Sequence, residues 1–122
     1  MLRAIRDQRY HAPTPIQKEA IPPILNGEDV LATAQTGTGK TASFTLPLLQ
    51  RLMATPPSSG SRFRPVRALV LVPTRELALQ VTESIQTYGA HAPLSSTTIF
   101  GGVGMAPQLD IVASMTMNVI SE

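Results

Sequence analysis

The stretch from Val30 to Thr41, VLATAQTGTGKT, decides the fold class. Its first five residues, VLATA, form a short apolar run that predicts a buried strand. The glycines that follow permit a tight turn, and Lys-Thr opens a segment with helical spacing. A glycine-rich turn between a strand and a helix N-terminus is where backbone N–H groups and the helix dipole bind phosphate. The sequence therefore predicts a phosphate-binding loop, the P-loop, over Ala34 to Thr41.

Two more strand patterns and a clear helix follow the loop. VRALVLV, residues 66–72, is almost continuously apolar, which is typical of a strand covered on both faces. Arg75 to Tyr88 predicts a helix, because Leu77, Val81, Ile85 and Tyr88 form one stripe. Ser95 to Phe100 predicts a third strand that Gly101-Gly102 ends. The alternation predicts an α/β domain in which helices flank a parallel sheet.

The N-terminal third predicts helices with proline boundaries. Leu2 to Gln8 is typical of the end of a helix. Thr14 is a favourable N-cap, and Pro15 suits the first helical position. We expect this helix to end or kink at Pro22-Pro23, and Asn26-Gly27 to form a turn.

The segment after the P-loop predicts a helix over Thr41 to Met53, with Leu48, Leu49 and Leu52 on its apolar side and a kink at Pro47. Ala54 to Pro65, ATPPSSGSRFRP, has the composition of a linker between two elements.

The composition sets limits on function. The chain has 122 residues, of which 43% are hydrophobic, and this favours a packed core over disorder. It contains no cysteine, which excludes disulfides, thiolate metal sites and cysteine catalysis. No apolar run approaches the ~20 residues that span a bilayer, so we expect no membrane association. The net charge of +2 identifies no partner.

The P-loop side chains have definite chemical roles in this interpretation. Lys40 can reach the β- and γ-phosphates of a nucleotide, and the Thr41 hydroxyl can ligate Mg²⁺. Ala34 stands where the strict pattern G-x-x-x-x-G-K-[ST] has glycine. The alternative is a glycine-rich turn without a ligand.

Three further motifs narrow the interpretation beyond "nucleotide". Tyr10 with PTPIQ (residues 13–17), AQTGTGKT, PTRELA (residues 73–78) and Gly101-Gly102 occur in this order. They resemble the Q motif, motif I, motif Ia and the GG motif of DEAD-box RNA helicases. The resemblance covers residues 1–107 and leaves 108–122 as a divergent tail. It implies part of the first RecA-like domain of an ATP-dependent RNA helicase.

The resemblance implies a site for ATP with Mg²⁺. Gln17 would bind the adenine edge, because a carboxamide both donates and accepts hydrogen bonds. Tyr10 would pack against the base; an ordinary surface aromatic is the alternative. Lys40 and Thr41 would position phosphate and Mg²⁺. The complete cofactor set is Tyr10, Gln17, Gln35, Thr36, Gly37, Thr38, Gly39, Lys40 and Thr41.

The resemblance also implies weak contacts with the RNA backbone. Thr74 and Arg75 would bind phosphate at a helix N-terminus, and Gly101 and Gly102 would allow close approach of RNA. The alternatives are an Arg75 ion pair with Glu76 or Glu83, and a plain glycine turn. His11 and His91 belong to no metal set or catalytic triad in this interpretation.

The chain departs from the family pattern at both ends. The family's aromatic residue upstream of the Q motif would fall before Met1. Pro-Gly-Arg, Asp-Glu-Ala-Asp, Ser-Ala-Thr and a second RecA-like domain do not occur in the 122 residues. Hydrolysis needs an acid for Mg²⁺, a positioned water and an arginine finger. We therefore expect the chain to bind nucleotide without hydrolysing it.

Other interpretations stay open at this point. The chain could be a non-catalytic nucleotide- or RNA-binding fragment, an inactive truncated gene product, or an unrelated P-loop enzyme. No obligate oligomer is implied, and we expect a cytoplasmic location.

We also expect marginal stability, because the edges of VLATA and VRALVLV would lack partner strands. We expect the P-loop and the residues after Phe100 to be the least ordered. In an alternative, Met115 to Ile120 pairs with one edge as a substitute strand.

Overall fold

The computed structural model describes residues 2–8, 11–55, 65–114 and 119–121, with backbone alone for residues 2, 112–114 and 119–121. Within these ranges the chain forms five helices and three short strands. In chain order they are α1 Leu2–Asp7, α2 Pro15–Asn26, α3 Lys40–Ala54, β1 Ala68–Val70, α4 Arg75–Tyr88, β2 Thr97–Thr98, α5 Met105–Ser114 and β3 Val119–Ser121. Most of the predicted linker, residues 56–64, lies outside the described residues.

Helix α2 begins as predicted but runs further than expected. Thr14 is its N-cap in extended backbone, Pro15 is its first residue, and Gly27 follows its last residue at φ 86°. The expectation of an end or kink at Pro22-Pro23 was wrong as to the end, because the helix continues to Asn26. The two prolines remove N–H donors to the carbonyls of Lys18 and Glu19. Both of those residues are exposed, so water can replace the lost bonds.

The hydrophobic core lies between α3 and α4. Leu49 of α3 is fully buried, and Val81 and Ile85 of α4 are 2% and 4% exposed. Tyr88 completes the stripe that the sequence predicts, and Leu77 packs against its margin. Pro47 lies inside α3 among the most buried residues, and the helix runs on to Ala54.

The sheet has three parallel strands in the order β1-β3-β2. Its strands are shorter than the patterns predict, since residues 66–72 contribute only Ala68–Val70 and residues 95–100 only Thr97–Thr98. The central strand comes from the tail: Leu69 is opposite Ile120, and Ile120 is also opposite Thr97. The alternative of a substitute strand over Met115 to Ile120 is met only in part: residues 115–118 lie outside the described residues, and Val119–Ser121 pairs with two strands instead of one edge.

Residues 30–34 do not form the predicted strand. Val30 is 39% exposed and Leu31 is 98% exposed, and no residue of VLATA belongs to the described sheet. A strand exists only where a neighbour supplies hydrogen bonds to its backbone. Here an open groove of about 700 Å³ separates Val30 and Ala32 from β1. The strand prediction for VLATA was therefore wrong in this structure, because no partner strand lies beside it among the described residues.

Helix α5 was not predicted, and it occupies the stretch that we expected to be least ordered. Among the described residues, no helix is long and apolar enough to cross a membrane.

Candidate functional site

The P-loop lies where the sequence places it, immediately before α3. Gly37 and Gly39 have φ values of 76° and 85°, the left-handed region that favours glycine. The Thr38 hydroxyl donates to the Gln35 carbonyl at 2.6 Å and closes the turn. Gln35, Thr36 and Gly37 are exposed, and a Cβ atom built on Gly37 would meet no atom of the described residues within 4 Å. The loop therefore offers an open backbone surface at a helix N-terminus.

Lys40 and Thr41 form the first turn of α3, at the positive end of its dipole. The Lys40 ammonium donates to the carbonyl of Ala34, the first residue of its own loop. Among the described residues, no carboxylate pairs with Lys40, and no hydrogen bond engages the Thr41 side chain. A phosphate would offer Lys40 a charged acceptor in place of a neutral carbonyl, so the donor set suits a nucleotide's phosphates.

Gln17 is brought against the P-loop from the other side. It is 9% exposed, and its Nε2 donates to the Gly39 carbonyl at 3.2 Å. Its Oε1 accepts from the Thr14 N–H at 3.0 Å, the side-chain half of a capping box. A Cβ atom on Gly39 would come within 2.5 Å of Gln17 Nε2 and 3.2 Å of Thr14 Oγ1. The Thr14 hydroxyl oxygen is buried and has no hydrogen-bond partner among the described residues.

The structure describes only part of the predicted adenine site. Tyr10 lies outside the described residues. Later in the sequence, His11 and Pro13 line an apolar cavity of about 270 Å³ that Gln17 also lines. His91 lies elsewhere and pairs with Asp7 of α1 at 3.2 Å. Within the described ranges, no cluster of acidic or histidine side chains could hold a metal ion by itself.

The predicted RNA-contacting residues meet in a second cluster. Thr74 caps α4, since its hydroxyl accepts from the Leu77 N–H at 3.2 Å. Arg75 Nη2 donates to the Gly101 carbonyl at 2.5 Å, and its guanidinium lies 5.8 Å from the Phe100 ring centroid. The alternative ion pair with Glu76 or Glu83 is not found in the part of the chain that the structure describes.

The glycine pair adopts a turn that approaches Arg75 closely. Gly102 has φ 73°, and a Cβ atom there would lie 3.2 Å from Arg75 Nη2. Gly101 has open space on its Cβ side. No hydrogen bond among the described residues joins this cluster to the P-loop, so the predicted site residues form two separate groups.

Gln108 belongs to this second cluster, and the sequence interpretation missed it. Its Oε1 accepts from the Phe100 N–H at 2.9 Å, and its Nε2 donates to the Phe100 carbonyl at 3.3 Å. The same Nε2 lies 3.2 Å from the Gly104 carbonyl. The available signal was the start of a helix after Gly104, because side chains in a first turn point back toward the N-terminus.

The fold and the loop define the class: an α/β chain with a P-loop before a helix. The family model of the DEAD/DEAH box helicase matches residues 14–121. The chain belongs to this family.

Known relatives and a solved structure are similar over most of the chain. It is 48% identical to the ATP-dependent RNA helicase SrmB of Escherichia coli over 103 residues, 84% of this chain and 22% of that protein. It is 48% identical to the ATP-dependent RNA helicase DeaD of Mycobacterium tuberculosis over 110 residues, 89% of this chain and 18% of that protein. The chain thus spans about a fifth of the length of these relatives.

The crystal structure of a hypothetical ATP-dependent RNA helicase from Sulfolobus tokodaii superposes with a TM-score of 0.78 at 29% identity. The match covers 98% of this chain and 32% of that chain. It confirms the predicted fold class, a partial RecA-like α/β domain.

Proposed function

We propose that this chain binds ATP with Mg²⁺ as the nucleotide-binding part of a DEAD-box RNA helicase, without hydrolysing it on its own. One observation carries the proposal: the hydrogen bond from Gln17 to the Gly39 carbonyl. It joins two residues that lie 22 positions apart, one predicted to bind adenine and the other to bind phosphate. A site for a whole nucleotide needs both groups side by side, whereas a glycine turn without a ligand does not.

In this proposal the phosphates lie on the P-loop. Backbone N–H groups near Gly37 and Gly39 donate to phosphate oxygens, and Lys40 exchanges the Ala34 carbonyl for phosphate. The Thr41 hydroxyl holds the Mg²⁺ that accompanies ATP. That ion would neutralise phosphate charge.

Adenine would be bound by the carboxamide of Gln17. Its donor and acceptor are both engaged with protein groups, Gly39 and Thr14, in this structure. Binding of the base therefore requires the carboxamide to exchange or share these partners. Packing of Tyr10 against the base remains part of the proposal.

The proposal of binding without turnover follows from the chemistry. Lys40 and Thr41 supply phosphate and Mg²⁺ contacts, but hydrolysis also needs a strand-end acid, a positioned water and an arginine finger. Asp110 is a single acid on α5, outside the P-loop cluster. The residues of this chain fit the binding half of the reaction.

The first prediction concerns base selectivity. We expect the chain to bind ATP more tightly than GTP, and Gln17→Ala to bring the ratio of the two Kd values close to one. A base-edge pair of hydrogen bonds contributes about 1–3 kcal/mol of discrimination. Because Gln17 also donates a hydrogen bond to the Gly39 carbonyl, the substitution should weaken the binding of both nucleotides somewhat. The ratio of the two Kd values is therefore the informative quantity. Calorimetric titration with each nucleotide measures it.

Gln50→Ala is the matched control, since Gln50 is an exposed glutamine on α3 and should leave the ratio unchanged. Equal binding of ATP and GTP by the unmutated chain would contradict the assignment of Gln17.

The second prediction concerns turnover. We expect the 122-residue chain to release no phosphate from ATP above background, with or without single-stranded RNA, because the acid and the arginine finger are not among its residues. A phosphate-release assay with Lys40→Ala as the blank measures this. RNA-stimulated release that Lys40→Ala abolishes would show that the proposal is wrong.

We further propose that the cluster of Thr74, Arg75, Gly101 and Gly102 binds the RNA backbone. The N-terminus of α4 and the guanidinium of Arg75 both favour phosphate. Such contacts carry no base information, so binding should be weak, independent of sequence and sensitive to salt.

A further inference from the structure

Gln108 pairs with Phe100 as a neighbouring strand would. Its carboxamide accepts from the Phe100 N–H at 2.9 Å and donates to the Phe100 carbonyl at 3.3 Å. Phe100 lies two residues beyond β2, and no described strand pairs with it. The side chain of Gln108 on α5 therefore forms hydrogen bonds with both the N–H and the carbonyl of Phe100. In a longer sheet, a neighbouring strand would form these bonds.

The two groups that touch Arg75 belong to this same short segment. The Phe100 ring lies beside the Arg75 guanidinium, and the next carbonyl, that of Gly101, accepts from Arg75 Nη2. The carboxamide of Gln108 also reaches the Gly104 carbonyl at 3.2 Å. It thus holds the segment at both ends, at Phe100 and at Gly104, with the two glycines between them.

We propose that Gln108 is a positioning residue for Arg75: it fixes Phe100 and the Gly101 carbonyl, and through them it directs the guanidinium toward RNA phosphate. The proposal rests on the proposed RNA-backbone site. Gln108 lies outside the recognised motifs, and it would act on Arg75 through the backbone of Phe100 and Gly101.

The physical reason is preorganisation. Arg75 is exposed, and a long side chain with several rotatable bonds loses entropy when it is fixed on a ligand. Its contacts with Phe100 and Gly101 restrict it beforehand and leave further N–H donors of the guanidinium for phosphate. Without these contacts, the two glycines after Phe100 would let the Gly101 carbonyl move. The restriction of Arg75 therefore depends on the hydrogen bonds from Gln108 to Phe100 and Gly104, which we call the Gln108 clamp.

The chemistry of the clamp needs a carboxamide of this length. Glutamate could accept from the Phe100 N–H, but it would face two carbonyl oxygens and add negative charge near the phosphate site. Methionine has nearly the same length and no strong donor or acceptor. Gln108→Met therefore removes the hydrogen bonds while keeping most of the packing.

The third prediction tests the clamp through RNA affinity. The probe is fluorescein-labelled single-stranded oligouridylate, titrated with the full 122-residue chain at low salt and followed by anisotropy. We expect Gln108→Met to raise the Kd for this RNA by about three- to tenfold, the size of effect that loss of preorganisation produces. The Kd for ATP should stay near its unmutated value, whereas the melting temperature should fall modestly because the Phe100 N–H and carbonyl lose their side-chain partner. Gln86→Met, at an exposed glutamine near the far end of α4, is the control.

A double-mutant cycle with Arg75→Ala separates positioning from a merely structural role. Once Arg75 is gone, Gln108→Met should change the RNA Kd by less than about twofold, because the two residues act as one unit. Additive effects of the two changes, or an unchanged Kd in Gln108→Met alone, would overturn the positioning role and leave the RNA site standing. If the unmutated chain shows no salt-dependent RNA binding, the proposed RNA site fails, and the positioning role fails with it. A Gln108→Met chain that lost ATP binding as well would mark Gln108 as a general structural residue and overturn the proposal.

Discussion

Replacing Leu49 by alanine is expected to lower the free energy of unfolding by about 2–5 kcal/mol, the range for large-to-small changes at buried leucines. Leu49 is fully buried and belongs to the cluster in which α3 packs against Val81 and Ile85 of α4. A loss of this size is a large fraction of the ~5–15 kcal/mol that stabilises a typical domain. Urea unfolding followed by far-ultraviolet circular dichroism measures it.

Leu79→Ala is the matched control, because Leu79 is on α4 and 55% exposed. It should change the free energy of unfolding by less than about 0.5 kcal/mol, as most exposed substitutions do. Equal losses in the two variants would mean that the α3–α4 interface is not the core of the folded chain.

Replacing Lys40 by alanine is expected to raise the Kd for ATP by about ten- to a hundredfold. The change removes a charge-assisted hydrogen bond to phosphate, and hydrogen bonds to charged groups contribute about 1.5–3 kcal/mol. Adenosine, which has no phosphate, should show little change. Titration of both ligands into the variant therefore localises the loss to the phosphate end of the site.

Lys18→Ala is the natural control, since Lys18 is the chain's other lysine and lies exposed on α2. It changes the net charge equally, so a nonspecific electrostatic effect would appear in both variants. Lys40 also bonds to the Ala34 carbonyl, and its removal frees the loop in the absence of nucleotide. An unchanged Kd for ATP in Lys40→Ala would refute the assignment of the P-loop.

Local signals predicted four of the five described helices and missed α5. The Thr14-Pro15 pair marks the start of α2, and the stripe from Leu77 to Tyr88 marks α4, whose bounds the structure confirms. These signals depend on residues a few positions apart, which the sequence displays directly. The proline pair in α2 misled because propensity is a weak term beside packing, and α2 retains its contact with α3 beyond Pro22.

Strand predictions failed where they depended on distant partners. VLATA has the composition of a buried strand, yet Leu31 is exposed because no described strand lies beside it. The sequence raised pairing of Met115 to Ile120 with one edge as an alternative, and it did not predict that Val119–Ser121 pairs with both β1 and β2. The composition of a segment indicates its tendency to form a strand. Which strand pairs with it depends on the fold of the whole chain.

The candidate site shows the same division. The order of the motifs indicates where the P-loop and the cluster around Arg75 lie along the chain. The structure places Gln17 beside Gly39. The side-chain partners do not follow from the order of the motifs: the engagement of Lys40 with its own loop and the clamp by Gln108 depend on backbone geometry that no short pattern encodes.

The position of β3 at the centre of the sheet has a kinetic consequence. In the part of the chain that the structure describes, β1 and β2 do not pair with each other, and both pair with Val119–Ser121. During translation, every other described element leaves the ribosome before β3. Helices α3 and α4 can therefore pack before β1 and β2 have a strand to pair with. Pairing β3 with β1 joins residues 51 positions apart, as Ala68 and Val119 show, and such nonlocal contacts form slowly because loop-closure entropy must be overcome first. We therefore expect sheet pairing to be a late step in folding, after α3 and α4 have packed.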